Sequence, residues 1–319
     1  MIRKLFNIST YAEDLGRYSA PGSFDDLCRG FDGVELLCSG DDPLSIVPKE
    51  KIIGAHSVFF NYWYDFRKGD MDGLIRNLGS EDNIQKYYGT CDSGILVETL
   101  RKSIMQAEDL GAEYVVVHIA DCGLEEAWTR SFAHSDREIA DEMCDIIHEA
   151  CSGIEHPKIL CEHLWVPGMT MLSTEITERV LDALDDLDAG IMLDTGHLMN
   201  TDMSIRNIDD ACDRIEDILD LNSRYLDRIC GVHLSSSLSG EYATAHMTGV
   251  FDPSMTFEEK NMALFEYISN LDQHLPFCSE RVNGILSKID PDHVTFEFIT
   301  RSGDELKAKL REQLKWLYI

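Results

Sequence analysis

Gly190-Ile191-Met192-Leu193-Asp194-Thr195-Gly196-His197 is the stretch whose reading decides the fold. A short apolar run ends in a carboxylate, and an imidazole follows three residues later. Flanked by helix-like segments, a run of this length reads as a buried parallel strand. The two good metal ligands at its end are costly to bury unless something pairs with them. Six other apolar runs end in, or carry near their ends, a His or Glu of the same kind. Packing explains that repetition poorly. A metal site assembled at one rim of a barrel explains it well.

Eight strands are expected, over Leu5–Tyr11, Gly33–Cys38, Ile52–Phe60, Tyr114–Ala120, Lys158–Trp165, Gly190–Asp194, Ile229–Leu234 and His293–Ile299. Several are continuous apolar runs, such as Tyr114-Val115-Val116-Val117, as strands covered on both faces require. Amphipathic stretches lie between them. Leu100, Ile104, Ala107 and Leu110 share one helical face, and so do Ile139, Met143, Ile147 and Ala150. Gly111 is placed to end the first of these helices. Strands alternating with helices in this way, with no glycine-rich phosphate fingerprint in an early turn, predict an α/β protein of the (β/α)8 TIM-barrel class rather than an open sheet. No linker or short repeat interrupts residues 1–319, which read as one domain. Two insertions, Asn61–Tyr88 and Ser235–Asp252, would lie over the rim where such barrels carry their sites.

Hydrophobic residues are 44% of the 319-residue chain, enough for a large core. No uncharged apolar stretch is long enough to cross a membrane. The N-terminus, Met1-Ile2-Arg3-Lys4-Leu5-Phe6, turns polar too soon for a secretory signal. Ten cysteines without a CxxC pair read as reduced thiols of a cytoplasmic protein, with Cys38, Cys161 and Cys230 as small core hydrophobes. The net charge of −30 opposes nucleic acid and anionic membranes as partners and leaves a small-molecule substrate. An oligomer is possible, although nothing in the chain marks its interface.

At the strand ends stand His56, His118, Glu162, Asp194, His233 and Glu297, with His197 just past the sixth strand and His246 in the loop after the seventh. A barrel brings such ends to within roughly 10 Å of a common axis. A lone histidine there is usually a hydrogen-bonded structural residue, and Asp194 alone could cap a helix. Glu162 and Glu297 differ, since each sits inside an otherwise apolar strand and needs a cation or a donor network. Mixed imidazole and carboxylate ligands suit Zn or Mn, with Fe or Co as alternatives, better than Ca or Mg. His134, His148, His156, His163, His274 and His293 read as ordinary.

These residues resemble those of the xylose isomerase-like TIM-barrel superfamily, which holds sugar isomerases and epimerases alongside endonuclease IV-type enzymes (AP endonuclease family 2). Leu-Asp-Thr-Gly-His at 193–197 is similar to the family's LDTxH strand end. Cys161-Glu162-His163-Leu164-Trp165-Val166-Pro167-Gly168 resembles the segment ENTAGxG. For the endonuclease IV branch the resemblance implies one metal on His56, His118 and Glu162, and a second on Glu162, Asp194, His233 and Glu297. A third would sit on His197 and a D-x-H pair after the seventh strand, which here aligns with Thr244-Ala245-His246 and lacks its aspartate. For the epimerase branch it implies a single metal on Glu162, Asp194, His233 and Glu297, with the two glutamates shuttling protons. That branch's arginine after the seventh-strand histidine is missing, since His233 is followed by Leu-Ser-Ser-Ser.

A divalent-metal enzyme carrying one to three ions is therefore expected. Isomerisation or epimerisation of a sugar or sugar derivative comes first, with Glu162 and Glu297 as the proton-transfer pair. Metal-dependent phosphoester hydrolysis is the alternative, and a barrel used only for binding is a third. Trp63 and Tyr64, with Tyr62 and Phe66, would cover the substrate or simply plug the barrel mouth. Arg67, beside Lys68, would meet an anion or lie on a solvated loop.

Overall fold

The computed structural model describes all residues except 21, 38–41, 248–250, 253 and 319. Eight parallel strands close into a barrel in chain order: β1 Arg3–Ser9, β2 Gly33–Leu37, β3 Ile52–His56, β4 Tyr114–His118, β5 Lys158–Glu162, β6 Gly190–Asp194, β7 Ile229–Leu234 and β8 His293–Phe296. This is the (β/α)8 TIM-barrel fold that the alternation of runs predicts. Cys161 and most strand residues are buried; Cys38 lies outside the described residues.

Alternate residues of a strand point to opposite faces, so each strand delivers its inward positions in layers. Leu5, Ile53, Tyr114, Val116, Leu160 and Met192 pack together as an apolar cluster inside the barrel. One step toward the C-terminal rim the inward positions become polar: His118 after Val116, Glu162 after Leu160, Asp194 after Met192. Register aligns them across neighbouring strands, His118 beside Glu162 and Asp194 beside His233. The larger core lies outside, where the helices Gly94–Leu110, Asp136–Cys151, Thr174–Ala183 and Ile208–Leu221 cover the barrel. Gly111 ends the first with a left-handed φ of 77°, and Ser135 with Glu138 opens the second with a reciprocal capping box. Between β2 and β3 the described residues form only short 3-10 turns.

Both insertions fold. Residues 61–88 form three short helices, Tyr64–Lys68, Met71–Leu78 and Glu81–Tyr88. The loop after β7 carries two more, Gly240–His246 and Phe257–Leu271, so it runs well past the expected end at Asp252. Five strands stop short of the spans expected for them, at Ser9, His56, His118, Glu162 and Phe296. After His56, Glu162 and Phe296 the runs continue because Phe60, Trp165 and Phe298 pack at the rim without joining the ladder. No helix of the described residues is long and apolar enough to cross a membrane.

Candidate metal centre

The strand ends bring two sets of ligand atoms together: His56, His118 and Glu162, and Glu162, Asp194, His233 and Glu297. Glu162, at the end of β5, belongs to both. Its Oε2 lies 3.1 Å from Nε2 of His56 and of His118, and its Oε1 lies 3.2 Å from Nδ1 of His233. Glu297 closes the second set, with Oε2 3.2 Å from the same His233 nitrogen.

A third group adjoins them. Asp272 follows the helix Phe257–Leu271, and its Oδ2 lies 2.7 Å from His274 Nε2 and 3.4 Å from His197 Nε2. Asp272-Gln273-His274 thus places a D-x-H sequence of the chain after β7 beside His197. His246, the histidine expected there, takes no part in these contacts: it is exposed on the helix Gly240–His246, stacked on Tyr242 at 4.1 Å, with Nδ1 donating to the Tyr242 carbonyl. The inserted helix Phe257–Leu271 carries the pair far along the chain from His246, which is why the nearer histidine suggested itself.

Four imidazoles are oriented alike. His56 Nδ1 donates to the Ser57 carbonyl at 2.9 Å, His197 Nδ1 to the His163 carbonyl at 2.9 Å, and His274 Nδ1 to the Glu297 carbonyl at 3.3 Å. His233 donates Nε2–H to Glu35 Oε1 at 2.9 Å. In each neutral ring the other nitrogen then presents a lone pair to a carboxylate oxygen. Two acceptors facing each other at about 3 Å need a proton or a metal ion between them. In addition, Asp194 Oδ2 and Glu297 Oε2 are buried with no hydrogen-bond partner. Divalent metals fit this donor set.

Without a cation, protons take that place. Burial opposes charging each ring, but Glu35, Glu297 and Glu162 raise His233 well above the ordinary imidazole value, and Asp194 and Asp272 do the same for His197. His274 rises to about 9 against Asp272. Glu162 is held well below the usual carboxylate range by His233 and His118 despite its burial. Burial, reinforced by Glu297 and Glu162, pushes Asp194 up to about 7. His163, driven down to about 3 by burial, stays neutral and accepts the Asp194 backbone N–H at 3.1 Å. Asp194 also caps the helix Thr195–Asn200 by accepting from His197 N–H with Oδ1, leaving Oδ2 for the centre.

Sequence reasoning misses Glu35, although Val34-Glu35-Leu36 carries the same signal as Glu162, a carboxylate inside an apolar strand. Its Oε2 accepts from Tyr114 Oη at 2.6 Å and from Thr295 Oγ1 at 3.2 Å. It thereby fixes which nitrogen of His233 faces the ligands.

The residues suggested for substrate divide. Trp63 is buried, its indole N–H donating to the Ala120 carbonyl at 2.7 Å, and it lines a cavity beside His118. Tyr64 packs on His134 at 4.4 Å and does not line that cavity. Arg67 is held by Glu142 at 2.7 Å and by Glu149 at 2.5 Å, and Lys68 also pairs with Glu142. Its guanidinium is committed within the fold, so the reading of Arg67 as an anion contact finds no support in its geometry.

The model of a family described as xylose isomerase-like TIM barrel matches residues 29–319. The chain belongs to this family. Its structure is similar to that of endonuclease IV from Thermus thermophilus, with a TM-score of 0.50 at 17% identity over 98% of each chain. It is similar to a Rhodospirillum rubrum protein provisionally assigned as a xylose isomerase, with a TM-score of 0.52 at 12% identity over 99% of this chain and 98% of that one. A D-allulose 3-epimerase from Methylomonas sp. aligns with a TM-score of 0.49 at 14% identity over 99% and 97%. At such identities the likeness of this xylose isomerase-like barrel to the first two is one of fold. Among curated protein sequences none matches it significantly.

Proposed function

We propose that the protein is a multinuclear metal-dependent phosphoester hydrolase. The observation that carries this reading is Asp272, whose carboxylate gathers His274 and His197 beside the two sets of ligands that share Glu162. Proton shuttling on a single metal leaves those three residues, and also His56 and His118, without a role. Hydrolysis uses them all: His56, His118 and Glu162 would hold one ion, Glu162, Asp194, His233 and Glu297 a second, and His197, Asp272 and His274 a third. Divalent ions bound there would supply Lewis acidity toward a phosphoryl oxygen and a nucleophile at neutral pH.

The chain's own part is orientation. Glu35 holds His233, the backbone carbonyls of Ser57, His163 and Glu297 hold three other rings, and the Asp194 cap fixes the approach of His197. Held this way, the ligands need little reorganisation on binding a charged transition state.

Sugar isomerisation or epimerisation is the second reading, favoured by one feature. Glu162 and Glu297 both face His233, a pair of carboxylates such as proton transfer across a bound substrate uses. The test is a paired assay on protein replete with Zn or Mn: phosphomonoesters and phosphodiesters against ketohexose epimerisation. Hydrolysis without epimerisation is expected, and the reverse would overturn the proposal.

A further inference from the structure

A cavity of about 300 Å³ opens against His118, one of the candidate ligands. Phe59 stands at this boundary, its ring 4.0 Å from that of His118, and Trp165 stands 5.1 Å from the His197 ring. The cavity therefore adjoins the candidate centre at His118. No residue lining it is charged, although 27% of the chain is. Its walls are mostly apolar, with Trp63, Met143, Leu164, Leu264 and Phe265 among them. Leu264 and Phe265 belong to the helix Phe257–Leu271, whose end carries Asp272 toward His197. One insertion thus supplies both a wall of the cavity and a carboxylate of the centre.

From this we infer that the cavity is the subsite for an uncharged, apolar portion of the substrate, about the size of two fused rings. A pocket of about 150 Å³ holds one benzene, so twice that volume admits a bicyclic group. A nucleic-acid strand is the wrong occupant. Its phosphates need Lys or Arg, and neither residue type lines the cavity. The inference rests on the hydrolase reading only for the bond that breaks. In that reaction the oxygen of water bonds to phosphorus while the bond from phosphorus to the oxygen of the apolar alcohol breaks. That oxygen keeps the electron pair and gains a proton from the water, giving phosphate and the free alcohol.

The test uses Zn-replete protein, 1-naphthol as a probe of the cavity and three substrates: 1-naphthyl phosphate, glycerol 3-phosphate and a DNA duplex with an abasic site. Leu264, half-buried in the wall, is changed to Trp to fill the cavity and to Arg to charge it. Calorimetry should detect 1-naphthol binding to the unaltered protein, weakened at least tenfold in Leu264→Trp and Leu264→Arg while metal content and melting temperature hold. The kcat/KM for 1-naphthyl phosphate should exceed that for glycerol 3-phosphate, and Leu264→Trp should erase the difference. Binding of 1-naphthol that is absent, or equal in all three proteins, overturns the inference, and so does preferred cleavage of the duplex. If 1-naphthol binds as described and no phosphoester is hydrolysed, the subsite stands and the hydrolase reading alone falls.

Discussion

Replacing Glu35 with Gln removes one negative charge and changes no heavy-atom position, so it isolates what that carboxylate does. In the native chain Oε1 accepts from His233 Nε2 at 2.9 Å, and Oε2 accepts from Tyr114 and Thr295. An amide has a single oxygen. If that oxygen stays on His233, a charge-assisted hydrogen bond becomes a neutral one of about half the strength, and the ring becomes a weaker ligand. If the amide flips, two N–H groups face each other and His233 loses its preferred tautomer. Carboxylates that orient a ligating histidine typically contribute 10–100-fold in metal affinity, or about 1.4–2.7 kcal/mol. Glu35→Gln should weaken metal binding by that factor, measured by zinc competition against a chromophoric chelator. Tyr114→Phe, which removes one of two donors to Oε2, should weaken it by less than tenfold. Affinity in Glu35→Gln within twofold of the parent would refute the reasoning.

Two further outcomes follow from residues that brace the rim. Gly168 sits at φ 133°, and an added Cβ would lie 2.0 Å from the Ile119 carbonyl oxygen. Gly168→Ala should therefore destabilise the protein by at least about 2 kcal/mol, from backbone strain and displacement of the loop after β5; an unchanged urea midpoint would contradict this. Asp121, whose Oδ1 accepts from the backbone N–H of Trp63 and of Tyr64, is raised by burial from 3.8 to about 7. Folding then favours its protonated form, so this contribution is complete below pH 3.8 and is lost as pH rises through 7. Asp121→Asn keeps the accepting oxygen and cannot ionise. Its stability relative to the parent should grow between pH 4 and pH 8, by at most about 4 kcal/mol, and a difference independent of pH would remove the argument.

The barrel was legible because parallel strands buried on both faces read as continuous apolar runs, and Glu162 and Glu297 stand out inside two of them. Strand ends were less so, since Phe60, Trp165 and Phe298 prolong the runs while packing at the rim. Glu35 was readable on the same grounds as Glu162, but its strand carries no ligand in the resemblance. Asp272 and His274 were hidden for a different reason. Two helices separate them from β7, and chain distance says nothing about which loop residues fold back to the rim. Trp63 and Arg67 share an aromatic, charged insertion, yet only contacts with Ala120 and Glu142 distinguish a buried cavity wall from a committed ion pair.

The central claim is that Asp272 and His274 complete a third metal position beside the two built on Glu162. Elemental analysis of protein purified without chelator or affinity-tag metal tests it directly, on the parent and on Asp272→Asn in parallel. About three equivalents per chain in the parent and about two in the variant are predicted, because an amide is a far poorer ligand than a carboxylate. One equivalent in the parent, or the same content in both proteins, would contradict the account.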